Sequence, residues 1–240
     1  MGRIAAVGVT CAVAGLLVPA GTVGSVHGSS AQTRALFSAT LSGQATISWT
    51  FTRPAVAVGD CDFLISGDGT RMVTFQTRRA TTVAATVTPG GFVFRNVRLA
   101  FIAGALARAG SITHAEACPE GATTQIDQCE PTKGSFTGGS VYFSTAQAGV
   151  VLFQRLLYGR RHLRKQAGCP YEPAPVRSGD PGIELAPGVI STTTVGGGGI
   201  GRIVVRGGFK QTKPYTGADS GDVSVRVQWT MTLKRLRRSA

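Results

Sequence analysis

The chain of 240 residues carries 25 lysines and arginines against 12 acidic residues, which gives a formal net charge of +13. Only 15% of the residues are charged, while glycine alone occupies 33 positions. This composition is unlike that of a helical bundle, and the length suits one all-β domain or two small ones. The excess of positive charge favours anionic partners.

The N-terminal segment has the pattern of a secretory signal peptide. Arg3 precedes an apolar run over residues 4–18, and a small-x-small motif places the cleavage before Gln32. We therefore expect residues 1–31 to be removed, which leaves one domain over residues 32–240 with a basic C-terminal end. The alternative is an uncleaved anchor, because the apolar stretch is nearly long enough to span a bilayer. No later stretch is apolar enough to do so, and the expected location is extracellular or at the cell envelope.

Alternation of apolar and polar residues predicts antiparallel strands along most of the chain. The two most regular runs are "ATISWTFT" (45–52) and "VSVRVQWTMTL" (223–233). Trp49 and Trp229 share a face with the aliphatic residues of their runs, so both are predicted to lie in the core. We expect the two strands to lie in one sheet or to face each other across a sandwich.

Further short strands with glycine-rich turns between them are typical of an antiparallel β-sandwich or a flattened barrel. They are predicted over 71–77 and 82–88 and in "FVFRNVRLAFI", "SVYFST" and "IGRIVVRGGF". One short helix is predicted over residues 144–159, where Ala146, Val150, Phe153 and Leu157 recur at helical spacing. The alternative for this segment is a buried strand over residues 150–158.

Four cysteines follow the expected cleavage site, and in an exported chain they predict two disulfides with three possible pairings. The favoured pairing joins Cys118 to Cys129, because "CPEGATTQIDQC" has the composition of a closed polar loop. Cys61 would then pair with Cys169. No Cys-x-x-Cys pair occurs, so no metal site is expected.

The most prominent polar feature is a cluster of basic residues after residue 154. Guanidinium groups can hold carboxylate or phosphate groups through two parallel hydrogen bonds, so the cluster is a candidate anion-binding site. An anionic cell-wall polymer or an acidic glycan would suit it, whereas nucleic acid is not expected because the cluster has no series of aromatic residues on which bases could stack. The alternative is a solvated run of charge that only aids solubility. The cluster consists of Arg155, Arg160, Arg161, Arg164 and Lys165.

No motif points to catalysis or to a cofactor. The glycine-rich "VGGGGIGR" (195–202) lacks the Gly-Lys-Ser/Thr of a phosphate-binding loop. We therefore expect an exported, non-enzymatic protein with a binding or structural role. The rival class is an extracellular hydrolase or inhibitor module whose site the sequence does not reveal.

Overall fold

A computed structural model of the protein describes residues 33–88, 91–147, 150–163, 182–184, 192–197, 201–216 and 218–236. The predicted signal peptide lies outside the described residues, as do Arg164, Lys165 and Cys169.

The described residues form thirteen strands and contain no helix. All pairings between strands are antiparallel, and one sheet has the order β10-β8-β7-β6-β3-β1-β13-β12-β11. In addition β2 pairs with β3, β4 with β1 and β5, and β9 with β7. This confirms the all-β antiparallel class. The strands are β1 (Thr33–Thr52), β2 (Val56–Val58), β3 (Cys61–Thr77), β4 (Thr81–Thr88), β5 (Gly91–Val93), β6 (Val97–Cys118), β7 (Gly121–Gln147), β8 (Val150–Leu157), β9 (Arg160–Leu163), β10 (Gly182–Glu184), β11 (Thr192–Gly197), β12 (Arg202–Pro214) and β13 (Asp222–Arg235).

The two most regular runs of the sequence, in β1 and β13, are neighbours in the sheet. Trp49 pairs with Val223, and Gly43 pairs with Trp229. Trp49 is 2% exposed and Trp229 is 3% exposed. The prediction that both tryptophans lie in the core, on strands of one sheet, is confirmed.

One face of the sheet, here called the inner face, holds the apolar core, and the opposite face is called the outer face. Rings from strands that are distant in the sheet order meet in this core. Phe143 of β7 lies 4.9 Å from Trp229 of β13, and Phe153 of β8 lies 5.8 Å from Phe209 of β12, between ring centroids. Because β6, β3 and β1 lie between β7 and β13, the sheet must curve around the core.

Glycines on the inner face make room for several of these rings. A Cβ atom on Gly207 would lie 2.2 Å from Cζ2 of Trp229, its direct partner across the strands. A Cβ atom on Gly43 would lie 2.5 Å from Cζ of Phe75. The large rings therefore cover the backbone of the neighbouring strand, where a side chain would collide with them.

The helix predicted over residues 144–159 is wrong, and the alternative of a buried strand is correct. Strand β8 pairs with β7, and the register skips Gln154, which forms a β-bulge. Val151 and Phe153, which precede the bulge, are buried, and Leu156, which follows it, is buried as well. The bulge shifts the alternation by one residue, and the resulting spacing resembles that of a helix.

Both favoured disulfide pairings are wrong, because Cys61 is bonded to Cys118. The segment expected to be a closed loop is a tight hairpin of β6 and β7, with Cys118 at its tip. Cys129 pairs with Gly110, eight residues from the tip. It therefore lies about 26 Å from Cys118, far beyond the reach of a disulfide. Cys61–Cys118 is the disulfide whose two cysteines both lie within the described part of the chain, and Cys169 lies outside that part.

Candidate anion-binding surface

Arg155, the first residue of the predicted basic cluster, packs against an aromatic ring. Its guanidinium carbon lies 4.5 Å from the ring centroid of Tyr142 on β7. The guanidinium carbon of Arg98 lies 6.0 Å from the same ring, and Arg98 Nε donates a hydrogen bond of 3.0 Å to Ser140 Oγ. Two arginines thus flank one tyrosine, and each cation can interact with the face of the ring.

The two remaining described members of the cluster do not share a face of the sheet. Arg160 and Arg161 are consecutive in β9, so their side chains project from opposite faces of the sheet. Arg160 is exposed, whereas the guanidinium carbon of Arg161 lies 5.7 Å from the ring centroid of Tyr158. Arg164 and Lys165 lie outside the described residues. The anion-binding role of the five residues stays a prediction.

A second group of basic residues, which the sequence analysis did not single out, lies on the outer face of β12 and β13. Its members alternate with buried residues of the same strands, and all five are exposed. We call this group the basic face. It consists of Arg202, Arg206, Lys210, Arg226 and Lys234.

Cross-strand pairing brings like charges together on the basic face. Lys210 lies directly opposite Arg226, and Arg202 lies directly opposite Lys234. Like charges in this position destabilise a sheet. Strands β1 and β12 contain no acidic residue, and Asp222 is the only one in β13. An anion bound between these side chains would relieve the repulsion.

A polar row crosses the outer face beside the basic face. Arg206 pairs with Thr230, Thr230 with Ser42, and Ser42 with Gln76, so the row spans four strands. An open depression of about 560 Å³ lies between Arg206 and Ser42. A second of about 490 Å³ extends from Ser42 to Arg78. Hydroxyl and amide groups between two arginines suit a ligand that is both hydroxylated and anionic.

The missing side chain of a glycine contributes to the first depression. Gly208 lies between Arg206 and Lys210 on the outer face, opposite Gln228. A Cβ atom on Gly208 would lie 3.6 Å from Gln228 Cγ and 2.9 Å from the carbonyl oxygen of Val227. The absence of a side chain therefore leaves the backbone of β12 accessible between two basic residues.

The acidic residues are concentrated in a different part of the sheet, which we call the arm. It comprises residues 56–68 and 111–128, which form β2, the adjoining parts of β3, β6 and β7, and the two turns that connect them at the tip. The arm has six acidic residues and no lysine or arginine. The rest of the chain therefore holds all 25 lysines and arginines and the other 6 acidic residues, which gives it a formal net charge of +19. The six are Asp60, Asp62, Asp68, Glu116, Glu120 and Asp127.

Polar side chains on the inner face of the arm bind one another. His114 Nε2 lies 3.5 Å from Asp127 Oδ2, and Gln125 Nε2 donates a hydrogen bond of 2.9 Å to Asp127 Oδ1. Both members of the His114–Asp127 pair are exposed, so this pair contributes little to stability. It also lacks the enclosed environment that would exclude water from a catalytic pair.

Donor atoms of Cys61, Glu116 and Cys118 lie within 4.8 Å of one another, a spacing that could suit a metal ion. However, the two sulfurs are joined in a disulfide, and the thiolate is the form of cysteine that binds metals. The cross-strand disulfide itself accounts for this grouping.

Within the described residues, no helix has the length and hydrophobicity needed to cross a membrane. The disulfide is compatible with an extracellular protein. Comparison with known proteins yields no match to a family model, to a curated protein or to a solved structure. Inferences about function therefore depend on the chain's own residues.

Proposed function

We propose that this is an exported, non-enzymatic protein of the cell envelope or the extracellular space, whose basic face binds an anionic polymer. The ligand class is an anionic cell-wall polymer or an acidic glycan. The observation that carries the proposal is the set of five exposed basic residues on β12 and β13. Four of them form two cross-strand pairs in which both side chains are positively charged, and no acidic residue lies between them.

The spacing of the basic residues favours a polymer over a small anion. Arg202, Arg206 and Lys210 are four residues apart on one strand, so successive side chains are about 13 Å apart and the series spans about 27 Å. A single small anion would reach one of these positions, whereas a linear polyanion reaches all three.

The openness of the site favours binding over catalysis. The depression beside Arg206 is lined by hydroxyl and amide side chains and by glycines, with no histidine or carboxylate among its lining residues. General acid–base catalysis requires such a titratable group near the reacting atoms. The predicted signal peptide supports export. We also propose that the curved sheet packs as a two-layered β-sandwich, which the ring contact between Phe143 and Trp229 supports.

Binding to defined polymers tests the proposal. We would measure retention on immobilised poly(glycerol phosphate) and polygalacturonate, with neutral dextran as the uncharged reference, over a range of salt concentrations. Replacing Arg206, Lys210 and Arg226 by glutamine should lower the affinity at least tenfold. It should also reduce the slope of log K against log salt by about two to three, because three ionic contacts are lost.

A matched control removes the same charge elsewhere. Arg79, Arg95 and Lys213 are also exposed, and their replacement by glutamine should leave most of the affinity. Equal losses in the two triple variants would show that net charge alone drives retention and would refute a defined basic face. Retention on dextran, or retention that salt does not reduce, would refute the electrostatic mechanism. Replacing Arg155 and Arg160 by glutamine tests the predicted cluster in the same assay.

A further inference from the structure

Beside its polar residues, the inner face of the arm carries a group of exposed apolar side chains. Val56 is 58% exposed, Val58 is 62% exposed and Phe63 is 36% exposed. Val56 pairs with Phe63, and Val58 pairs with Cys61, so these side chains lie on one face together with the disulfide. They continue the apolar alternation of β3 beyond the core, where they stay exposed to solvent. Contiguous apolar surface of this kind marks a site of interaction.

The edges of the arm are also available for pairing. Among the described residues β2 pairs only with β3, and the 121–128 part of β7 pairs only with β6. Every side chain of residues 121–128 is exposed. Unpaired backbone groups on exposed strands can accept a further protein surface.

Charge restricts the choice of partner. Two arms brought together would oppose six acidic residues with six more, and the arm has no lysine or arginine to compensate them. The arm therefore suits a basic surface. The basic face is such a surface, and it is about 27 Å long. The arm has a similar length of about 20–25 Å, calculated from the rise per residue of a strand.

The arm cannot reach the basic face of its own chain. It is a continuation of β3, β6 and β7, and the disulfide between Cys61 and Cys118 joins its two central strands near the tip. The basic face lies on the outer side of β12 and β13, which the sheet order separates from β3 by β1. A contact between arm and basic face must therefore join two molecules.

We propose that the arm of one molecule docks on the basic face of a second molecule, head to tail. The acidic residues at the tip neutralise the like-charged pairs of the basic face, and the apolar residues of the arm are covered in the contact. Such a heterologous contact leaves one free arm and one free basic face at the ends of every open assembly, so association continues beyond the dimer unless a ring closes.

Sedimentation velocity of the full chain over a range of concentrations tests this contact. The wild type should form dimers and larger species at 20 mM salt and should dissociate at 500 mM salt. Reversing the charge of Asp60 and Glu120 to lysine, both exposed in the turns at the tip of the arm, should abolish association. Reversing Asp219 and Asp222, which are exposed but lie outside the arm, is the control with the same change in net charge and should leave association intact.

Mixing two variants distinguishes a head-to-tail contact from a symmetric one. The arm variant retains its basic face, and the triple glutamine variant of the basic face retains its arm. Each should be monomeric alone, while their mixture should form a 1:1 dimer that does not grow. Three results would overturn the proposal: the wild type is monomeric at about 100 µM, the arm variant still associates, or the mixture stays monomeric.

The outcome is independent of the proposed function. The arm variant should bind poly(glycerol phosphate) at least as tightly as the wild type, because its basic face is intact. If polymer binding fails while self-association persists, the proposed function is refuted and the head-to-tail contact stands. The reverse outcome refutes only the contact.

Discussion

Replacing Gly207 by alanine should destabilise the protein by placing a methyl group in the volume of the Trp229 ring. The new Cβ would lie 2.2, 2.5 and 2.9 Å from three ring atoms, so the ring must move. Trp229 is 3% exposed and its ring also contacts Phe143, so little free space surrounds it. Overpacking of this kind costs about 1–3 kcal/mol. A loss of about 2 kcal/mol lowers Tm by about 4–8 °C in a domain of this size.

Urea unfolding followed by tryptophan fluorescence measures the change. Gly201→Ala is the matched control, because a Cβ atom there would meet no heavy atom within 4 Å, and it should stay within about 0.5 kcal/mol of the wild type. Trp229→Leu removes the collision, so adding Gly207→Ala to it should cost much less than Gly207→Ala alone costs. If the two glycine variants were equally stable, or the double variant were additive, the ring–glycine argument would be refuted.

Three further outcomes are expected. Non-reducing peptide mapping should find Cys129 joined to Cys169, since Cys61–Cys118 leaves no other partner in the expected mature chain; any other pairing contradicts this. Cys61 and Cys118 are separated by 57 positions in the sequence, so their disulfide restricts the unfolded chain. Replacing both by serine should lower the free energy of unfolding in urea by about 4 kcal/mol. An unchanged midpoint would refute this estimate. N-terminal sequencing of the exported protein should begin at Gln32, and an intact N-terminus would favour the uncleaved anchor.

The strands that could be predicted from the sequence are those whose alternation is uninterrupted. In β13 the residues from Val223 to Leu233 alternate without a break, and every second one is buried. Strand β8 failed as a prediction because the bulge at Gln154 breaks its period, and the position of a bulge depends on the partner strand. The disulfide failed for a related reason, since the short separation of Cys118 and Cys129 says nothing about which strand pairs with the tip of the hairpin.

The basic face could be seen only with the strand register. Arg202, Arg206 and Lys210 are separated by apolar residues and glycines, so they form no visible run of charge in the sequence. Their four-residue spacing within a predicted strand was a usable signal. Their juxtaposition with Arg226 and Lys234 requires the β12–β13 pairing, which forms between strands separated by a turn of seven residues.

The separation of charge between the arm and the rest of the sheet makes the molecule an electric dipole. At physiological ionic strength the Debye length is about 8 Å, which is shorter than the arm of about 20–25 Å. The two poles are therefore screened from each other, and each responds to the ions and surfaces in its own vicinity. Near a negatively charged wall, the resulting torque would turn the arm away from the surface and leave its acidic tip facing the surrounding medium.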